Sequence, residues 1–200
     1  MFARAMPRRV LLLVALLALA GCGGKSQDAD EPSGQFPVEI VSAKFPHAQH
    51  IAQSSVLAMR VRNSGDKEIP NLAVTITTDA KTRGDSVTAF GQNVADTTLA
   101  DRSRPVWIVD QDATRGQTAY TNTWAFGPIP AGGSKVVRWR VTAVRAGDFT
   151  LRYRVSPGLN GKARSAGGSK TSGSFKVSID ATPQPARVDE NGNVVRGSGS

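Results

Sequence analysis

Apolar side chains recur at every second position through most of this chain, and that period leaves room for little but β-strands. Leu57, Met59 and Val61 alternate with Arg60 and Arg62; Leu72, Val74 and Ile76 alternate with Ala73, Thr75 and Thr77. Further on, Val137, Trp139 and Val141 oppose Arg138, Arg140 and Thr142, while Phe149, Leu151, Tyr153 and Val155 oppose Thr150, Arg152 and Arg154. Phe175, Val177 and Ile179 repeat the pattern in a last strand, and 38–45 reads as a first one. Turn residues separate the runs at 63–66, 128–133 and 146–148. No long stretch carries helical periodicity. Short strands with one apolar and one polar face, parted by turns, predict an all-β fold, an antiparallel β-sandwich of Ig-like topology.

Size and composition fit one such domain. Residues 23–35 contain no large apolar side chain and predict a flexible tether, so the boundaries fall at 22–35 for the tether and 36–180 for the sandwich. Residues 181–200, with Pro183, Pro185 and a Gly/Ser end, predict a disordered tail. Cys22 is the only cysteine, so no intramolecular disulfide can form and the apolar core alone must stabilise the fold.

The turns also carry a resemblance. The segment Val56-Leu-Ala-Met-Arg-Val-Arg-Asn-Ser-Gly-Asp66, followed by Pro70-Asn-Leu-Ala-Val-Thr-Ile76, resembles the opening of bacterial surface Ig-like domains of the CARDB/DUF11 type, in which an Asn-x-Gly turn links two strands. Trp124-Ala-Phe-Gly-Pro-Ile-Pro-Ala-Gly-Gly-Ser134 with 136–144 is similar to that family's tryptophan, loop and strand segment, and Ala146-Gly-Asp-Phe149 to its step into the next strand. The match covers roughly 55–156. It departs at Phe149, where the family often has an aromatic hydroxyl, and in a longer middle, 79–120. The resemblance implies a binding or spacing module and no catalytic residue.

The N-terminus specifies an address. Arg4, Arg8 and Arg9 precede an unbroken apolar run at 10–20, which Leu19-Ala20-Gly21-Cys22 closes. Eleven residues span only about 16 Å as a helix at ~1.5 Å each, whereas a bilayer core of roughly 30 Å needs about 20. The run therefore reads as a signal peptide, residues 1–21, and its last four residues resemble the bacterial lipobox, in which the thiol receives a lipid. The expectation is a lipoprotein anchored to the cell membrane through Cys22, on the extracytoplasmic side. The plainer alternative, an ordinary cleavage site with a chance cysteine, leaves the position of that one thiol unexplained.

Little in the chain offers catalysis. There is no Gly-x-Ser-x-Gly, no His-Glu-x-x-His and no phosphate-binding Gly-x-x-x-x-Gly-Lys motif. His47 and His50 lack further ligands nearby in sequence and read as exposed loop residues; Asp110 and Asp112 lack the spacing of a calcium loop. No metal, no cofactor and no enzymatic activity are expected. The middle, 79–120, reads either as a functional loop or as short strands whose pattern is hidden, with 106–109 a strand candidate.

Charge is segregated. Ten basic residues lie within 135–176 against one acid, Asp148, whereas 22–134 carries a slight excess of acid. Arg138, Arg140, Arg152, Arg154 and Lys176 all fall on outward positions and are the candidate anion-binding residues. Two topologies arrange them differently. A hairpin of 136–144 with 148–155 pairs Arg140 with Arg152 and Arg138 with Arg154, with Gly147 in a bulge. An arch at 146–149, crossing between sheets as the resemblance implies, puts the two arginine pairs on opposite faces and Lys176 beside Arg152 and Arg154. Either a solvated strand face or attraction to anionic material outside the membrane accounts for the charge; the loop 157–173 reads as a mobile anion-contacting loop or a tolerated polar insertion. The functional expectation is a non-enzymatic binding or adhesion module with a basic face for anionic lipid, wall polymer or an envelope protein. The alternative is an accessory subunit of an envelope transport or wall-assembly complex. The export signal argues against nucleic acid.

Overall fold

The computed structural model describes residues 30–82, 85–92, 105–111, 113, 116–192 and 194–196. Residues 31–200 form one compact unit, and of the other, 1–30, only Asp30 is described. Among the described residues there are strands and turns and no helix. The first strands are β1 (Gly34–Phe36), β2 (Val38–Lys44), β3 (Ala48–His50), β4 (Ser54–Asn63) and β5 (Ala73–Thr78). The middle adds β6 (Lys81–Thr82), β7 (Asp85–Ser86), β8 (Phe90–Gln92), β9 (Trp107–Gln111), β10 (Gln117–Tyr120) and β11 (Thr123–Ala125). The remainder are β12 (Ser134–Ala143), β13 (Gly147–Ser156), β14 (Ala163–Ser165), β15 (Ser172–Asp180), β16 (Ala186–Val188) and β17 (Val194–Arg196).

Two large sheets make an Ig-like sandwich. One runs in the order β2-β4-β12-β9-β8 and the other β10-β11-β5-β13-β15-β3. Leu57, Met59 and Val61 of β4 and Val137, Trp139 and Val141 of β12 are buried, as are Val74 and Ile76 of β5 and Leu151, Tyr153 and Val155 of β13. The alternate residues of the same strands face solvent, because successive strand side chains point to opposite faces. Trp139, fully buried, is met edge-on by Phe126 at 5.3 Å and Trp124 at 5.6 Å between ring centroids. Gln49, also buried, accepts the Trp107 indole N–H at 2.8 Å and donates to the Pro46 carbonyl, so its burial leaves no amide group unpaired.

The strands β12 and β13 fall in different sheets, so the arch is the topology adopted and the hairpin is not. Strand β12 pairs with β4 and β9, whereas β13 pairs with β5 and β15. Only residues 144–146 separate β12 from β13, and Gly147 starts β13 at φ 131°, a backbone conformation that side-chain-bearing residues rarely adopt. Trp139 and Tyr153 therefore reach the core from opposing sheets. They are not cross-strand neighbours.

Two segments differ from expectation, and in a third, 79–120, short strands form, with the 106–109 candidate appearing as β9. The compact unit begins at Glu31, not at 36: β1 pairs in parallel with β14, and the Glu31 carboxylate accepts the amides of Leu159 (2.6 Å), Asn160 (2.9 Å) and Ala163 (2.7 Å). These contacts are polar and involve backbone, so the lack of large apolar residues in 23–35 gave no sign of them. The same contacts fold the 158–163 part of the 157–173 loop around the carboxylate. In the middle, β8 and β9 run parallel at one edge of the first sheet, and β10 and β11 form the opposite end of the second. Each spans five residues or fewer, too short for alternation to be legible. The expected tail contains a small hairpin, β16 with β17, in which Asp189 accepts the Asn191 amide at the turn.

Candidate functional site

Ten basic residues lie in 135–176; Lys162 and Lys170 are exposed in the 157–173 loop, and the structure sorts the other eight into two kinds. Lys135 donates to the carbonyls of Phe126 and Pro128, and Arg164 to that of Gly161. Arg145 donates to the Lys81 carbonyl at 2.6 Å and lies over the Phe149 ring, 5.9 Å from its centroid, a cation–π contact. These three fasten loops. Arg138, Arg140, Arg152, Arg154 and Lys176 instead stand exposed on strand faces.

The arch divides those five. Arg138 and Arg140 lie on the outer face of the first sheet. Arg138 sits opposite Ala58, and Arg140 opposite Val56 on one side and Gln111 on the other. Arg60, opposite Val136 and Ser42, and Arg62, opposite Ser134 and Glu39, share this face, as does Lys44 opposite Ala58. Lys44, Arg60 and Arg62 were absent from the candidate set. Their outward parity was readable, but which strands flank β4 was not. Val56 is exposed here, and so is Val41 (53%), pushed outward where the β2–β4 register slips between Ile40 and Ser42. The first face is thus basic with apolar gaps.

On the second sheet the surroundings are different. Arg152 and Arg154 occupy β13, with β5 on one side and β15 on the other. Arg152 stands between Thr77 and Ser174, and Arg154 between Thr75 and Ser172. The Thr75 hydroxyl lies 2.9 Å from that of Thr123 on β11, which extends the hydroxyl row by one strand. The two arginines and their four flanking hydroxyl residues, with Tyr153 and Gly173, line an open groove of about 510 Å³. Gly173, between the two serines, faces inward, and a side chain there would collide with the Tyr153 ring. Lys176 lies one row farther along, opposite Thr150.

Among the described residues of this face, acid enters at that end. A second groove of about 420 Å³ is lined by Lys176, His47, Asp79 and Asp148 among others. Burial pushes the Asp79 carboxyl up, but the Thr150 amide (2.7 Å) and hydroxyl, with the Arg152 charge, outweigh it and hold Asp79 below its ordinary range. Asp79 is therefore a fixed negative charge that bounds the arginine rows.

The other candidates have structural employment. His47 Nδ1 donates to the Lys176 carbonyl and His50 Nδ1 to that of Thr182, both at 3.0 Å, which ties the β3 edge to β15 and the residues after it. Asp110 accepts the Ser54 and Thr142 hydroxyls at 2.9 and 2.8 Å. Among the described residues no three His, Cys, Asp or Glu side chains converge as metal ligands. Cys22 and Asp112 lie outside the described residues.

No protein-family model matches the chain, and no curated protein matches it. Several solved structures are similar. One is the CARDB domain of a Pyrococcus furiosus protein, 15% identical, with 74% of this chain covering 94% of that one at a TM-score of 0.44. Another is native alpha-2-macroglobulin of E. coli, 16% identical, with 72% of this chain covering 7% of that one at a TM-score of 0.42. A third is a cohesin module from a Clostridium perfringens family 33 glycoside hydrolase, 10% identical, with 75% of this chain covering all of that one (100%) at a TM-score of 0.42.

Proposed function

We propose that this chain is a lipid-anchored, extracytoplasmic lipoprotein whose sandwich is a non-enzymatic binding module for anionic components of the cell envelope. The anchor rests on sequence: the basic head, the short apolar run, the Leu19–Cys22 motif and the one cysteine. The observation that carries the binding reading is the distribution of charge. Eight outward cations, Lys44, Arg60, Arg62, Arg138, Arg140, Arg152, Arg154 and Lys176, line strand faces, while the core is closed and apolar. Surfaces of one sign raise the local concentration of opposite charge and speed its capture.

A second reading is favoured by one feature of the first face. Val41 and Val56 are exposed beside its arginines, a mixture suited to packing against a protein neighbour. On that reading the domain is an accessory subunit of an envelope transport or wall-assembly complex.

Crosslinking on intact cells, followed by purification of whatever is attached, separates the two. Recovery of wall polymer or anionic lipid supports the binding module. A single dominant protein partner, attached through the Val41 and Val56 face, supports the accessory subunit and overturns the first reading.

A further inference from the structure

We infer that the outer face of β5, β13 and β15 is a two-rung site for a linear phosphodiester polymer, a role that charge alone does not assign. The inference rests on the anion-binding reading above and names the face, the ligand class and the recognition chemistry. The rungs are Thr77–Arg152–Ser174 and Thr75–Arg154–Ser172. Each is a guanidinium in the middle strand with one hydroxyl on each neighbouring strand.

Three features select this ligand. First, neighbouring strands lie about 4.8 Å apart, within reach of side chains on the same row. A phosphodiester has two free oxygens and one charge; a guanidinium supplies forked donors and no acceptor, and the flanking hydroxyls supply further donors. Second, Arg152 and Arg154 are two residues apart on one strand, so the rungs repeat at about 6.7 Å. Phosphates linked through a three-carbon polyol recur at about this distance, whereas the P–O–P links of inorganic polyphosphate are shorter. Third, neither rung contains an acid, and the negative Asp79 bounds the rows at the Lys176 end. The groove is open, as a chain that continues past both rungs requires.

The opposite face is an internal control. There Arg138 neighbours Ala58, and Arg140 neighbours Val56 and Gln111, so an arginine pair of the same charge lacks the paired hydroxyls. Neither rung holds an aromatic side chain, and Tyr153, which lines the same groove, is buried and offers no open ring on which a nucleobase would stack.

The test measures binding of the full chain, in its Cys22→Ser form, to synthetic poly(glycerol phosphate). Inorganic polyphosphate of equal charge and vesicles of phosphatidylglycerol are the comparison probes. Arg152→Gln with Arg154→Gln should weaken polymer binding about tenfold or more, whereas Arg138→Gln with Arg140→Gln, an identical loss of charge from the other face, should cost clearly less. Thr77→Val with Ser174→Ala leaves the charge unchanged and should still weaken binding several-fold. Thermal melting confirms that the variants fold. Equal losses from both arginine pairs, or no effect of the hydroxyl pair, would overturn the two-rung site yet leave the general anion reading standing. Binding to vesicles as tight as to polymer, with the same variant pattern, would overturn the polymer in favour of a headgroup array. Failure of wild-type protein to bind any of the three would end both readings.

Discussion

The side-chain amide of Asn63, fully buried at the end of β4, donates to the carbonyl of Ile129, 66 residues away, at 3.0 Å. It also donates to the carbonyls of Lys67 and Pro130, while its oxygen accepts the Gly65 amide. The Asn-x-Gly turn and the proline-rich 128–133 turn, far apart in sequence, are thus closed by one side chain. Asn63→Ala leaves several buried backbone groups without partners and should destabilise by about 3 kcal/mol. Asn63→Asp removes the donors and places a charge among carbonyls, so it should cost at least as much. Urea denaturation measures both; a loss below about 1 kcal/mol for either variant would mean that the two turns hold together without Asn63.

Trp139 is fully buried, with the rings of Phe126, Trp124 and Phe90 against it. Trp139→Ala should cost roughly 3–5 kcal/mol through cavity formation. The indole N–H has no hydrogen-bond acceptor among the described residues. Trp139→Phe should therefore cost clearly less, because it gives up only packing volume. Equal losses for the two variants would show that the N–H has a partner.

The Glu31 clasp gives a pH dependence of defined sign. Burial pushes its carboxyl up, but the amides of Asn160, Ala163 and Leu159 outweigh it and hold it below its ordinary 4.5. A carboxyl with a lowered folded value contributes stability above its unfolded value and loses it as pH falls through the folded one. The protection factors of the Leu159, Asn160 and Ala163 amides should thus fall on acidification below the ordinary 4.5, with the rest of the sandwich still protected. Glu31→Ala should abolish that step and lower stability at neutral pH by about 1–2 kcal/mol. Protection of these amides that stays constant down to pH 2 would contradict the clasp.

Cys22→Ser should release the protein from membranes, or leave the signal uncleaved, without changing the melting of the sandwich. Fractionation of cells that express the variant, with membranes washed at about 0.5 M salt to screen the outward cations, tests this. A variant still processed and membrane-bound would exclude the lipid tether.

How much of this was legible depended on the length scale of the signal. Long alternating strands such as β4, β12, β13 and β15 could be read directly, because burial of one face imposes period two over nine or ten residues. Within 79–120, β9 was signalled by the apolar 106–109 candidate, but the other short strands were not, since two to five residues carry no period. Pairing was legible only as a choice: the alternation around Arg138 and Arg152 fits hairpin and arch equally, and sheet neighbours decide which. That choice determined the candidate site, splitting five residues into two faces and adding Lys44, Arg60 and Arg62 to one of them. The hydroxyls of Thr75, Thr77, Ser172 and Ser174 were invisible for the same reason. They become partners of Arg152 and Arg154 only through cross-strand register, from segments about 75 and 20 residues away.

On the proposed reading, outward cations of the sandwich, and not the lipid expected on Cys22, recognise the envelope. Retention of the lipid-free Cys22→Ser protein on isolated cell envelopes, measured from about 0.05 to 0.5 M salt, tests it most directly. Exposed charges are screened beyond a Debye length of ~10 Å at 0.1 M. Retention should therefore be substantial at the low end and fall steeply across the range. Retention that does not change with salt, or none at 0.05 M, would contradict the account.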